Sequence, residues 1–221
     1  MNDDDHALYD TFASEEITPP YSEHWEAKRR VAQALRDLTN VLMTSTPPTQ
    51  ELNRIAQRLE LETQEFAKTD RLFGLIEFCR DGNHGSYGQV NHEMNGVGGW
   101  SNPLNPGLNL WLDGDKAYGT VRFGWAYEGP PGHVHGGYIA AVLDQFLGMA
   151  QMATRQSGMT GSLKINYHRP TPLNTDLTLE AETTILSERK IRVVGRILLD
   201  GQVTAEGDGL FIRPKGGMVR V

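Results

Sequence analysis

Cysteine is almost absent from this chain of 221 residues, with Cys79 the only one. A single thiol closes no intramolecular disulfide and completes no C-x-x-C metal pair, so a reducing, cytoplasmic setting is expected. Basic clusters are missing too. Lys and Arg total 21 against 28 Asp and Glu, for a net charge of -7. No stripe of positive charge suits a phosphate backbone, which argues against nucleic acid as a partner. Long apolar runs are the third absence: none reaches the roughly 18 to 20 residues of a membrane span. Residues 1–30 also lack the basic-then-apolar layout of a secretory signal. A soluble protein is expected.

What is present divides near residue 107 into a helical part and a β-rich part, a length that suits one domain with an appendage or two small domains. From Ser22 to Thr44 the residues Trp25, Val31, Leu35, Leu38 and Leu42 fall at helical spacings. Pro47 and Pro48 end that helix, Thr46 or Thr49 is available to cap the next, and Leu52, Ile55, Leu59, Leu61 and Phe66 carry a second helix to about Lys68. The expectation is a helical hairpin, packed on the outer face of a sheet or on another subunit. Between Asp81 and Gly107 the chain is crowded with glycine and asparagine and reads as an irregular surface stretch or a lid, with His84 and His92 exposed to solvent. Residues 1–107 thus form an N-terminal helical hairpin followed by an irregular segment.

From Leu108 the pattern is β. Leu108–Leu112 and Lys116–Tyr127 flank the turn Asp113-Gly114-Asp115, and Gly161–Tyr167, Asp176–Leu186, Lys190–Leu199 and Gln202–Ile212 follow as strands, the last two joined by Asp200-Gly201. Between them, Gly136–Ala153 forms one long helix with almost no polar face. Such a helix must be covered on nearly every side. The fold class is therefore α+β, a curved antiparallel sheet of about six strands wrapped around a central helix over residues 108–221.

That helix opens with His133-Val134-His135-Gly136-Gly137 and carries one carboxylate, Asp144, among apolar and small neighbours. A helix N-terminus offers unpaired N–H groups and a positive dipole end, so Gly136 and Gly137 are natural donors to an oxyanion. A buried Asp144, its basicity raised by desolvation, suits a general base or a nucleophile. The bland readings stand beside these: a lone acid in an apolar helix can be structural, and paired glycines can simply permit close packing. The pair His133 and His135 raises a metal site, but Asp144 lies far along the helix and no further ligand cluster accompanies it, so no metal is expected.

Spacing adds a constraint. Gly136 and Asp144 are eight residues apart, about 12 Å along a helix axis. A base and an oxyanion donor both need to lie roughly 3 Å from one reacting group. One chain cannot bring both to the same carbonyl, so a composite site across a two-fold axis is expected, with the glycine end from one subunit and Asp144 from the other.

The run Gly129-Pro130-Pro131-Gly132-His133-Val134-His135-Gly136-Gly137, then Asp144, then Met159-Thr160-Gly161-Ser162-Leu163-Lys164-Ile165-Asn166-Tyr167-His168-Arg169-Pro170-Thr171-Pro172-Leu173, resembles the hotdog-fold acyl-CoA thioesterases. The likeness is to the PaaI and THEM4/THEM5-like branch and covers residues 108–213. It implies hydrolysis of an acyl-CoA or related acyl thioester to free acid and thiol, without a cofactor, by a homodimer or dimer of dimers. It also implies that Thr160 orients the attacking water or hydrogen-bonds Asp144, and that His135 braces the loop or helps bind the thioester. Some relatives carry an asparagine before this histidine where this chain has Gly129. For substrate, the resemblance points to Arg169, with Lys164, at the phosphates of coenzyme A, with Arg155 and Lys190 as further cations. Tyr138, Phe146 and Met149 are candidates for an acyl slot beside the helix. A non-catalytic acyl-CoA-binding protein of the same fold is the alternative. A dehydratase is disfavoured, because Asn102-Pro103-Leu104-Asn105 does not supply the Asp and His pair that chemistry uses.

Overall fold

The computed structural model describes residues 22–82, 84–213 and 215. Four helices come first: α1 (Glu23–Thr44), α2 (Thr49–Phe66), α3 (Gly74–Arg80) and α4 (Tyr87–Met94). They are followed by β1 (Asn109–Asp113), β2 (Lys116–Val121), α5 (Gly136–Ala150), β3 (Met159–Tyr167), β4 (Leu177–Ser187), β5 (Lys190–Leu199) and β6 (Gln202–Ile212). The strands form one antiparallel sheet in the order β1-β2-β4-β5-β6-β3, wrapped on α5 in the hotdog arrangement. No helix among the described residues is long and apolar enough to cross a membrane.

Alternation along the strands explains the core. On β4 the inward residues Leu177, Leu179 and Ala181 are buried and their neighbours are not, and β5 repeats this with Ile191, Val193 and Ile197. They meet Ile139, Val142, Leu143, Phe146 and Leu147 of α5, all of them buried. Burying each such side chain stabilises the fold by about 1.5–3 kcal/mol. The helix comes close to the sheet because glycines lie under it: a Cβ on Gly195 would stand 2.6 Å from Leu147 Cδ2. The β5–β6 turn places Asp200 and Gly201 in the left-handed region, at φ 49 and 76, as a two-residue hairpin requires.

Several expectations need correction. Strand β2 stops at Val121 instead of running to Tyr127, because the chain leaves the sheet to meet α1. The space beside Gly124 is filled by the Asn40 amide, whose Oδ1 accepts from the Ala126 N–H, and Trp125–Tyr127 form a 3-10 turn. The long helix is α-helical only to Ala150 and continues as a 3-10 turn over Gln151–Thr154. Neither threonine caps α2. Pro48 holds the cap position without a side-chain bond, and Thr49 is already helical.

Helix α1 is capped by Ser22 but does not bury the apolar stripe read from its spacing. Val31, Leu35 and Leu42 are exposed. The inward face is instead Trp25, Arg29, Ala32, Arg36 and Asn40, and its polar members are satisfied by hydrogen bonds to the 93–102 and 124–126 segments. Arg29 pairs with the buried Glu93, which also accepts from Ser101 Oγ at 2.7 Å. Helix α2 buries no residue. No hairpin packed on the sheet results.

The glycine-rich stretch is not irregular throughout, since α4 forms inside it. A capping box made by Ser86 and Gln89 starts that helix, which outweighs the Gly88 within it. His84 stacks on His24 and lies against Trp25 and Phe78 instead of standing in solvent. His92 is largely buried, and burial pushes its imidazole below the ordinary pKa.

Candidate active site

The N-terminus of α5 is held on three sides. His135 is the N-cap, and its Nδ1 accepts the Gly137 N–H at 3.0 Å. The His135 N–H donates to the Tyr127 carbonyl, and Val134 N–H to that of Thr171. The Tyr167 hydroxyl donates to the Gly136 carbonyl at 2.9 Å. Tyr167 was not among the residues singled out from the sequence, although its alternation with Leu163 and Ile165 puts it on the inner face of β3. These bonds separate the two glycines. The Gly137 N–H is occupied by the cap, whereas the Gly136 N–H has no acceptor among the described residues. Gly136 is thus the open donor at the positive end of the helix.

Two turns on, Asp144 lies beside Thr160, whose Oγ1 donates to Asp144 Oδ1 at 3.0 Å. A bulge between Thr160 and Ser162 makes this contact. Asp144 itself is only half-buried, which corrects the expectation of an acid enclosed on all sides. The cause is that α5 keeps one open face, where Gly137 and Tyr138 are exposed and Ala141, Asp144 and Gly148 half-exposed.

The other candidates divide by location. Arg169 and Gly136 share a cleft of about 550 Å³ at the head of α5, with His133, Gly137 and Tyr167. Arg169 hydrogen-bonds the Gln202 side chain and pairs with no carboxylate among the described residues, so its charge faces the cleft uncompensated. Lys164 is not brought to this place. It projects from the outer face of β3 opposite Asp208, whose carboxyl is held below its usual range by the Arg192 hydrogen bond and charge, with a smaller contribution from Lys164. Tyr138 lies 46% exposed on the open face of α5, edge-on to Tyr127. Phe146 is core and unavailable to a ligand, while Met149 and Arg155 line a second cavity at the far end of the helix. Lys190 begins β5, at the end of the sheet where β5 pairs with Ile212 of β6. His133 turns its Nδ1 to the Pro131 carbonyl, away from the bond His135 makes.

Comparison with known proteins bears on this arrangement. The family model of the thioesterase superfamily matches residues 131–206. An acyl-coenzyme A thioesterase THEM4 of Xenopus laevis is 31% identical over 88 residues, 39% of this chain and 40% of that protein. Its counterpart in Bos taurus is 33% identical over 88 residues, 39% of this chain and 36% of that protein. The matched region therefore spans well under half of either relative. A crystal structure of a thioesterase superfamily protein superposes with a TM-score of 0.71 at 33% identity, covering 88% of this chain and 97% of the other. Sharing that identity over nearly the whole of a superfamily member, and matching the family model across the elements that carry Gly136, Asp144 and Thr160, this chain belongs to the thioesterase superfamily.

Proposed function

We infer that this protein hydrolyses acyl-CoA thioesters to the free acid and coenzyme A, in sites shared between two subunits. The observation that carries this reading is the pairing of Asp144 with Thr160 on the open face of α5, while the unpaired Gly136 N–H lies about 12 Å away along the same helix. An acid left half-exposed with a hydroxyl aimed at it is poorly explained as structural. Two antiparallel copies of α5, packed through their open faces, bring each Gly136 to the partner's carboxylate.

In this arrangement the thioester oxygen accepts from the Gly136 N–H, where the helix dipole favours developing negative charge. Asp144 takes a proton from water as the oxygen attacks the carbonyl carbon. The C–S bond then breaks, and the proton on Asp144 goes to the departing thiolate. Direct attack by Asp144 gives an acyl anhydride that water opens, with the same products. Thr160 fixes the carboxylate rotamer, and Arg169 at the cleft attracts the phosphates of coenzyme A.

Subunit complementation tests both the reaction and its shared site. Proline at the first helical position keeps the backbone angle but removes the N–H, so Gly136→Pro deletes the donor with little change to the helix. Homo-oligomers of Asp144→Ala and of Gly136→Pro should each lose at least 10²-fold in thiol release. A mixed oligomer should regain one working site in two. Folded mixed oligomers that stay inactive would remove the shared site. Wild type that binds acyl-CoAs without releasing thiol, with affinity unchanged by Asp144→Asn, would replace the enzyme by a binding protein.

A further inference from the structure

Helix α5 contains a glycine that packing within the subunit does not require. A Cβ on Gly148 would meet only Phe211 Cε1, at 3.9 Å, an ordinary contact, whereas at Gly195 the space is already taken. Glycine inside a helix costs about 0.5–1 kcal/mol relative to alanine. The empty volume at Gly148 is therefore the feature to explain. Gly148 lies one turn beyond Asp144 on the same helix face and borders a cavity of about 550 Å³. The cavity is enclosed by the second half of α5, by β1 and by α4 with the loop after it. Its α4 and β1 walls come from residues 87–114, outside the 131–206 region matched to the family model.

The lining has a particular chemistry. Trp100, Leu110 and Met149 supply apolar surface, while Asn91 and Gln145 supply side-chain amides that make no hydrogen bond with any described residue. No carboxylate lines the cavity, although the chain carries a net charge of -7. A volume of this size suits a small ring-bearing ligand. Covering the two amides with plain alkyl chain would leave them unsatisfied, at about 1–3 kcal/mol each.

Building on the thioesterase reading above, we propose that this cavity receives the acyl group of the substrate through the gap at Gly148, and selects ring-bearing acyl groups with a hydroxyl or keto substituent over plain alkyl chains. Gln145, next to Asp144, and Asn91, on α4, are the specificity-determining residues. The N-terminal segment is then part of the substrate site and sets which acyl groups fit.

The test measures binding separately from turnover. In the full-length Asp144→Asn background, calorimetry compares 3-(4-hydroxyphenyl)propanoyl-CoA, 3-phenylpropanoyl-CoA and dodecanoyl-CoA. The hydroxylated ligand should bind about tenfold more tightly than its unsubstituted counterpart, as one added hydrogen bond of ordinary strength gives, and more tightly than the dodecanoyl ligand. Adding Gln145→Leu should erase that preference, and Gly148→Phe should reduce affinity to that of free coenzyme A at unchanged oligomer mass. Preference for the dodecanoyl ligand, or a hydroxyl preference that survives both Gln145→Leu and Asn91→Leu, would overturn the proposal. Because no turnover is involved, the hydrolysis reading fails separately, on wild type that releases no thiol from any of the three.

Discussion

The two faces of α5 differ more than any two surfaces of this molecule. Toward the sheet it presents Ile139, Val142, Leu143, Phe146 and Leu147, none more than 3% exposed. Away from the sheet it presents Gly137, Tyr138, Ala141, Asp144 and Gly148, none of them buried. One rod of backbone thus divides its work between stability and chemistry. The division is physical: the apolar face gains by leaving water, while the other face stays short and polar so that a ligand or a second helix can approach.

Three measurements would break or sharpen that contrast. Phe146→Ala should have the largest effect, lowering unfolding free energy by about 3–5 kcal/mol while the activity of the remaining folded protein stays near wild type. Urea titration followed by a specific-activity assay reads both. Thr160→Val, at the edge of the opposite face, should do the reverse: kcat falls about tenfold, the order of one lost hydrogen bond, with KM and the urea midpoint little changed, and Thr160→Ser restores most of the rate. A comparable loss of stability in Thr160→Val would mean the open face is structural after all.

The smallest effect is expected away from both faces. His92 and His24 are each held below their ordinary pKa of 6.5, first by burial. The unfolded chain therefore takes up protons that the native state refuses. Stability from this source is fully present above about pH 6.5 and declines as pH falls through that value. Tryptophan fluorescence in urea should give a lower midpoint at pH 5.5 than at pH 7.5, and His92→Gln should reduce the difference. A midpoint that rises on acidification would reverse the assignment.

Much of this contrast is legible in the amino-acid order. The strand alternation, the Asp200-Gly201 turn and the apolar run from Ile139 to Ala150 are local signals, and local physics produced the elements they predict. Asp144 and Thr160, sixteen residues apart, were paired by resemblance and meet in the structure. Harder to read was whatever depends on distant partners. Helix α4 hides among glycines, yet the Ser86 and Gln89 capping box was there to be found. Nothing local marks Glu93 as buried, because its partner Arg29 is 64 residues away. The apolar residues of α1 misled for a similar reason: its inward face is chosen by polar groups that find partners on other segments.

The bulge before Ser162 has a consequence of another kind. Along β3 side chains alternate, and Leu163 and Ile165 point to α5. Uninterrupted alternation would send Thr160 to the outer surface, away from Asp144. One added residue at Gly161 reverses this and pairs Thr160 with the inward Phe211. The sheet counts residues by twos, so the acid's partner depends on whether this short stretch is odd or even. In this lineage a single-codon insertion or deletion there is a parity switch: it can connect or disconnect the hydroxyl while leaving every buried side chain of the sheet in place.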